Sequence, residues 1–118
     1  MKLLKAQQIL KTFADKTRLR IVNLLNQEDL AVNEICGVLE QTQPNISKHL
    51  LRLRLTGIVR DKRIGPNSSY YLVKPEGKAY KELLHAVVYG LEDVETFKND
   101  LERLKNIRKI NQKGGENK

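Results

Sequence analysis

The segment from Gln41 to Thr56 (QTQPNISKHLLRLRLT) places the strictest constraint on how this chain folds. Thr42 is a favourable N-cap, and Pro44 falls in the first helical turn, where a missing N–H is tolerated. The apolar residues recur at helical spacing. They are Ile46, Leu50 and Leu53. The segment therefore predicts an amphipathic helix that packs one face on a core.

The opposite face of this helix carries amides, hydroxyls and cations but no carboxylate. At about 100° per residue, Asn45, Lys48 and Arg52 stack on that face, with His49 beside them. Such groups donate to base edges and phosphates without electrostatic repulsion. We therefore predict that this helix lies in the major groove of DNA.

The basic charge of the chain is concentrated around the same helix. The formal net charge is +8 and the isoelectric point is near 9.7, which favours a polyanionic partner. Between Gln41 and Lys74 the only acid is Asp61. The cations there are Lys48, Arg52, Arg54, Arg60, Lys62, Arg63 and Lys74. A nucleic-acid surface needs this local excess, whereas a merely solubilising charge does not.

Three further helices are predicted before this segment. Asp15 is the expected N-cap of the second, and Asn33 that of the third. Glu40 and Gln41 make a tight turn from the third helix into the segment above, which is the pattern of a helix-turn-helix. The predicted ranges are 1–13, 16–26 and 34–40.

After Gly57 the periodicity changes from that of a helix to that of strands. Two runs of β-branched and aromatic residues, 58–64 and 68–73, flank Gly65-Pro66-Asn67, which predicts a basic β-hairpin. A helix-turn-helix followed by such a hairpin is a winged helix. The predicted fold class is mainly α with a small β-hairpin (α+β), in one domain spanning residues 1–110.

The last helix is predicted to run from Pro75 to about Ile110. Its apolar residues form a seam with a spacing of mostly three or four: Leu84, Val87, Leu91, Val94, Leu101 and Leu104, with Phe97 and Ile107 beside them. A domain of this size cannot cover so long a helix, so its far end would pack on a second copy of the chain. The alternative is two shorter helices that fold back on one core, interrupted near Gly90. Residues 111–118 are polar and predicted to be a disordered tail.

Three motifs, in order, resemble the ArsR family of prokaryotic winged-helix repressors. Residues 13–25 (FADKTRLRIVNLL) are similar to the family's second helix, 43–50 (QPNISKHL) to its recognition helix, and 57–72 to its wing. The resemblance implies a homodimer with the first and last helices at the interface. It also implies repression by occupying a palindromic operator, with an effector that lowers DNA affinity.

Position by position, the resemblance assigns residues that contact DNA and residues that contact the second copy. In the wing, Pro66 stands where the family often has a basic residue. The helix contacts would be Thr42, Gln43, Asn45, Ser47, Lys48, His49 and Arg52. The wing contacts would be Lys62, Arg63, Asn67 and Ser68. The dimer contacts would be Leu3, Leu4, Leu10, Leu84, Val87, Leu91, Val94 and Leu101.

The family's metal sites are incomplete in this chain. Ala31 and Asn33 occupy cysteine positions of the arsenic-type site, which leaves Cys36 alone, and only His85 matches the zinc-type site. Because zinc takes about four ligands, we predict no metal and no cofactor. A repressor with a non-standard metal site and a winged-helix module that binds another protein remain alternatives.

No class of enzyme fits the sequence. The two histidines and one cysteine are widely separated, and no Gly-rich phosphate loop follows a strand. The single cysteine also excludes an intrachain disulfide. The first residues (MKLLKAQQ) lack the apolar run of a signal peptide, so the expected location is the cytoplasm.

Overall fold

The chain folds as helices around a small antiparallel sheet, in the order of a winged helix. The computed structural model describes the backbone of residues 1–116 and the side chains of residues 1–110. None of the helices in that range is both long and apolar enough to cross a membrane. The elements are α1 (Leu3–Phe13), α2 (Lys16–Gln27), β1 (Leu30–Ala31), α3 (Val32–Leu39), α4 (Gln43–Leu55), β2 (Val59–Ile64), β3 (Asn67–Leu72), α5 (Lys78–Val88) and α6 (Glu95–Glu116).

Helices α2 and α4 begin where their caps predict. The Asp15 carboxylate accepts a hydrogen bond of 2.9 Å from the backbone N–H of Arg18. The Thr42 hydroxyl accepts one of 3.4 Å from the backbone N–H of Asn45. Each cap satisfies a backbone donor that the first helical turn leaves without a partner.

Helix α3 begins earlier than predicted. Asn33 lies inside its first turn, so the prediction of Asn33 as the N-cap is wrong. The carboxylate of Glu34 instead accepts a hydrogen bond of 2.9 Å from the backbone N–H of Ala31. Ala31 has no side-chain oxygen with which to cap the helix. The hydrogen bond between its backbone N–H and Glu34 takes the place of such a cap.

The apolar face of α4 packs on α2 and α3. Ile46, Leu50 and Leu53 are at most 1% exposed, which confirms the predicted stripe. Helix α2 is the centre of the domain, because it contacts each of the other helices and β3. This burial fixes the direction in which the polar face of α4 points.

The predicted hairpin is confirmed as β2 and β3, with Gly65 and Pro66 at the turn. Gly65 has φ +59°, a conformation that glycine adopts without strain. Strand β1 joins the other edge of β3, so the strand order is β1-β3-β2, and both pairs are antiparallel. The hairpin tip projects from the core as a wing.

The C-terminal part consists of two helices, so the predicted continuous helix over 75–110 is wrong and the alternative of two helices on one core is confirmed. A Cβ on Gly90 would lie 2.4 Å from the carbonyl oxygen of Ala86, so the backbone turns here more tightly than a side chain allows. Helix α6 continues to Glu116, beyond the predicted end near 110. Disorder was predicted for the tail 111–118, but the backbone of 111–116 continues α6, and 117–118 lie outside the described residues.

Both C-terminal helices bury their seam in the chain's own core. Leu84 and Leu104 are 8% and 6% exposed, and Val87 and Leu101 pack partly buried against the same cluster. Most of the apolar seam is therefore buried within one chain. Among the other predicted dimer contacts, Leu91 is half-buried, and the exposed ones are Leu3, Leu4, Leu10 and Val94.

Candidate DNA-binding surface

The outward face of α4 presents most of the polar residues that are predicted from the sequence to contact DNA. Gln43, Ser47, Lys48 and Arg52 are exposed, as is the cap residue Thr42. No Asp or Glu occurs in α4. A row of amide, hydroxyl and cationic groups without carboxylates can donate to phosphates and to the major-groove edges of bases.

Asn45 is held in place by residues of the preceding turn and of α2. Its amide donates to the side-chain carbonyl of Gln41, and the amide of Gln41 donates to the Thr17 hydroxyl at 3.4 Å. Asn45 was predicted from the sequence to lie on this surface, whereas the supporting residues Gln41 and Thr17 were not. The available signal was the polar start of α2, next to the turn of the helix-turn-helix.

His49 is turned toward α2. Its Nδ1 lies 3.6 Å from the Asp15 carboxylate and 3.3 Å from the guanidinium of Arg18, and its side chain is 12% exposed. Burial, helped by the charges of Arg18 and Lys48, lowers the pKa of His49 against the opposing attraction of Asp15. The imidazole is therefore mainly neutral near pH 7, and it connects α4 to α2.

The predicted wing contacts lie on both faces of the hairpin. Successive residues of a strand point to opposite faces, whereas directly paired residues share one. Arg63 pairs with Ser68, and on the same face Asp61 lies 3.6 Å from Arg54 of α4. That face is thus the one that adjoins α4.

Lys62 and Asn67 lie on the other face of the wing. The ammonium of Lys62 is 3.4 Å from the Asp29 carboxylate and 5.8 Å from the centre of the Tyr71 ring. Asn67 is exposed opposite Ile64. The predicted wing residues therefore do not form one patch, and Asp29 partly neutralises the charge of Lys62.

The two residues left from the family's metal sites lie in different surroundings. Burial raises the pKa of the Cys36 thiol, and the His85 ring lies 4.8 Å from that of Tyr89. Within the described residues, no group of three or more His, Cys, Asp or Glu could hold a metal ion. The functional groups on the outward face of α4 are hydrogen-bond donors and cations.

A helix-turn-helix with an exposed polar second helix, followed by a β-hairpin, defines a winged-helix DNA-binding protein. The family model described as "Bacterial regulatory protein, arsR family" matches residues 15–61, which run from the cap of α2 into β2. The transcriptional activator HlyU of Vibrio cholerae is 38% identical over 81 residues, which cover 69% of this chain and 75% of HlyU. The chain therefore belongs to the ArsR family of transcriptional regulators.

Further similar proteins support the same assignment. The arsenical resistance operon repressor of Escherichia coli is 44% identical over 66 residues, 55% of this chain and 56% of that repressor. The solved HlyU structure has a TM-score of 0.62 and 36% identity, covering 74% of this chain and 97% of HlyU. The homodimeric winged helix-turn-helix DNA-binding domain Mb0332 of Mycobacterium bovis has a TM-score of 0.63 and 27% identity, covering 80% and 85%.

Proposed function

We propose that this chain is a homodimeric repressor that occupies a palindromic operator. Helix α4 of each copy lies in one of two successive major grooves, and the wing lies beside the flanking backbone. The observation that carries this proposal is the exposed, carboxylate-free face of α4, which the buried stripe on its other side directs outward. The operator is palindromic because a two-fold symmetric dimer presents two equivalent recognition helices.

The predicted DNA contacts divide into three groups by their place in the structure. The exposed residues of α4 and its cap would bind bases and phosphates directly, together with Asn45, which Gln41 orients. His49 would act mainly by holding α4 on α2, since its ring lies against Asp15. On the wing, Arg63 and Ser68 face the same side as α4 and would contribute more than Lys62 and Asn67.

The proposed dimer interface includes the exposed face of α1. Leu3, Leu4 and Leu10 are 85%, 64% and 54% exposed, an apolar surface that α1 leaves uncovered within one chain. Leu91 and Val94, between α5 and α6, would complete the interface, since they are the predicted contacts of the last helix that the core does not cover. The similar domain Mb0332 is described as homodimeric, which supports the same assembly here.

The direction of regulation needs its own measurement. The E. coli relative is a repressor, whereas HlyU is an activator. A protein bound to an operator that overlaps a promoter excludes RNA polymerase, so we expect repression. Because the similar proteins are bacterial transcriptional regulators, we also expect a location in the cytoplasm. Transcription in vitro from the bound promoter, with and without the protein, should show decreased transcript. An increase would contradict repression while leaving operator binding intact.

Operator binding is tested with the double variant Lys48→Ala/Arg52→Ala. Binding sites are first selected from genomic fragments, and dissociation constants are then measured by fluorescence anisotropy at several salt concentrations. Each lost phosphate contact should reduce the slope of log K against log salt by about 0.9. Each lost base contact should cost about 1–3 kcal/mol of discrimination against the wrong base.

The matched control is Lys81→Ala/Lys105→Ala, which removes the same charge from exposed positions on α5 and α6. We expect the control to bind the operator nearly as tightly as the unmodified chain. Equal affinities for the α4 variant and the unmodified chain, with both folded, would contradict the role of α4. An unmodified chain that binds no genomic fragment at low salt would overturn the proposed function as a whole.

A further inference from the structure

Helix α6 lies along α3, the first helix of the helix-turn-helix, and contacts it near both ends. Near the start of α3, the guanidinium of Arg108 donates to the carboxylates of Glu28 and Glu34. Near its end, Arg103 donates to the backbone carbonyl of Val38 at 2.7 Å. The two arginines are 5 positions apart in α6, so the two helices run antiparallel.

The residue between α3 and α4 adopts an unusual backbone conformation. Glu40 has φ +54° and ψ +46°, the left-handed region, and is the only residue other than glycine with positive φ among those described. An L-residue with a Cβ adopts this region at a cost, which glycine avoids. A turn of this kind persists only when its surroundings hold it.

Arg103 is placed to hold this turn. The carbonyl of Val38 is in the last turn of α3, where backbone carbonyls lack a partner four residues later. The charge of Arg103 also lies at the C-terminal, negative end of the α3 dipole. Its Nε is 3.8 Å from the Glu40 carboxylate, but that carboxylate is 73% exposed, so this ion pair contributes little. The hydrogen bond to Val38 is the main contact.

The turn is connected directly to the DNA-reading residues. The backbone N–H of Gln41 donates to the Cys36 carbonyl at 3.2 Å, and its side chain accepts a hydrogen bond from Asn45. A shift of Glu40 therefore moves Gln41, and with it Asn45 and the first turn of α4. The path from Arg103 to the DNA surface therefore consists of the hydrogen bond to Val38, the backbone from Val38 to Gln41, and the hydrogen bond from Asn45 to Gln41.

We infer that Arg103 is a positioning residue for operator recognition, which acts from α6 by fixing the turn that sets the start of α4. This inference rests on the proposed function, because it concerns how well α4 meets its operator. Arg103 itself need not contact DNA. Without it, the turn would sample other conformations, and the fraction of molecules competent to bind would fall.

The test compares Arg103→Ala with Lys105→Ala, which removes the same charge from an exposed position on the same helix. Operator and non-specific DNA affinities are measured for each at several salt concentrations. Since apparent affinity scales with the competent fraction, Arg103→Ala should weaken operator binding about three- to tenfold. It should change non-specific binding much less, so the ratio of the two affinities falls. The control should leave that ratio unchanged.

The salt dependence separates positioning from direct contact. Loss of a phosphate contact would lower the slope of log K against log salt by about 0.9, whereas loss of positioning leaves the slope unchanged. A lowered slope for Arg103→Ala would overturn the inference in favour of direct contact. An unchanged affinity ratio, with the unmodified chain binding its operator, would overturn it as well. Absence of operator binding by the unmodified chain would instead refute the proposed function.

Hydrogen exchange of the free protein provides a readout without DNA. Arg103→Ala should accelerate exchange in the peptide covering residues 38–47 while leaving the β2–β3 hairpin as protected as before. Glu40→Gly should restore protection and affinity in the Arg103→Ala background, because glycine adopts the left-handed turn without support. Uniformly faster exchange, or no rescue by Glu40→Gly, would show that Arg103 only stabilises the domain.

Discussion

A buried ion pair between Asp100 and Arg20 joins α6 to α2. Asp100 is 1% exposed and accepts two hydrogen bonds of 2.9 Å from the guanidinium of Arg20. Asp100→Ala would leave that guanidinium without its partner in a site where the Arg20 side chain is only 13% exposed. Removing one partner of a buried pair costs about 3–5 kcal/mol. Because Arg20 keeps some access to water, we expect about 3 kcal/mol, the lower end of that range.

Urea unfolding followed by circular dichroism measures this loss. With an m-value of about 2 kcal/mol/M, a loss of about 3 kcal/mol lowers the unfolding midpoint by about 1.5 M. All variants are compared at one protein concentration, because the stability of a dimer depends on concentration. The control is Glu102→Ala, which removes a carboxylate from an exposed position on α6 and should change the free energy of unfolding by less than about 0.5 kcal/mol.

A double variant tests whether the unpaired charge of Arg20 causes the loss of stability in Asp100→Ala. Arg20→Met/Asp100→Leu removes both charges, and apolar replacement of a buried pair is often neutral or stabilising. We therefore expect it to recover most of the stability that Asp100→Ala loses. An Asp100→Ala midpoint equal to that of Glu102→Ala would refute the role of the pair. A double variant as unstable as the single one would show that the loss has another origin.

Two further predictions concern assembly and pH. Leu4→Glu, which charges the exposed apolar face of α1, should sediment as a monomer and bind the operator poorly. The control is Ile64→Glu, which charges an exposed apolar residue at the wing tip and should remain dimeric. A dimeric Leu4→Glu variant would exclude the α1 face from the interface. Because burial lowers the pKa of His49 below its ordinary 6.5, its protonation favours the unfolded chain, so the stability present above about pH 6.5 is lost as the pH falls. His49→Gln should therefore flatten the decrease in urea midpoint between about pH 7 and pH 5, and an unchanged decrease would contradict this assignment.

The helix-turn-helix and the wing could be predicted from sequence because their signals are local. The cap Thr42, the stripe ending at Leu53 and the turn at Gly65 each act within a few residues, and all three are confirmed. The start of α3 was predicted two residues too late, and the reason is also local. Glu34 reaches back to Ala31 and replaces the expected cap, so two local signals competed and the sequence alone did not rank them.

The two C-terminal helices could not be distinguished from one long helix by periodicity. Leu84 and Leu104 lie on opposite sides of the break, yet both face the same core. Apolar spacing therefore continues across the break and shows only that each face is buried. The turn at Gly90 determines which elements cover these apolar faces, because it directs α6 back over α2 and α3. Because the chain itself covers Leu84 and Leu104, the continuity of the seam is not by itself evidence of a partner chain.

The DNA surface was predictable by residue type but less so by orientation. His49 is three positions from Ile46 and adjacent to Lys48, so helical spacing places it near the edge between the buried and exposed faces of α4. Which way its ring turns depends on Asp15, which is 34 positions away in sequence. The division of the wing residues between two faces follows from the alternation of side chains along a strand. The sequence alone could therefore have placed Lys62 and Arg63 on opposite faces.

Helix α6 lies outside the part of the chain that defines the family. The family model matches residues 15–61, and the solved HlyU chain is 97% covered while only 74% of this chain is used. A winged helix therefore does not require all of this chain. Yet α6 contributes Asp100 to the core and Arg103 to the turn before α4. A helix that binds both ends of α3 can change how the recognition helix meets DNA without altering any residue of that helix.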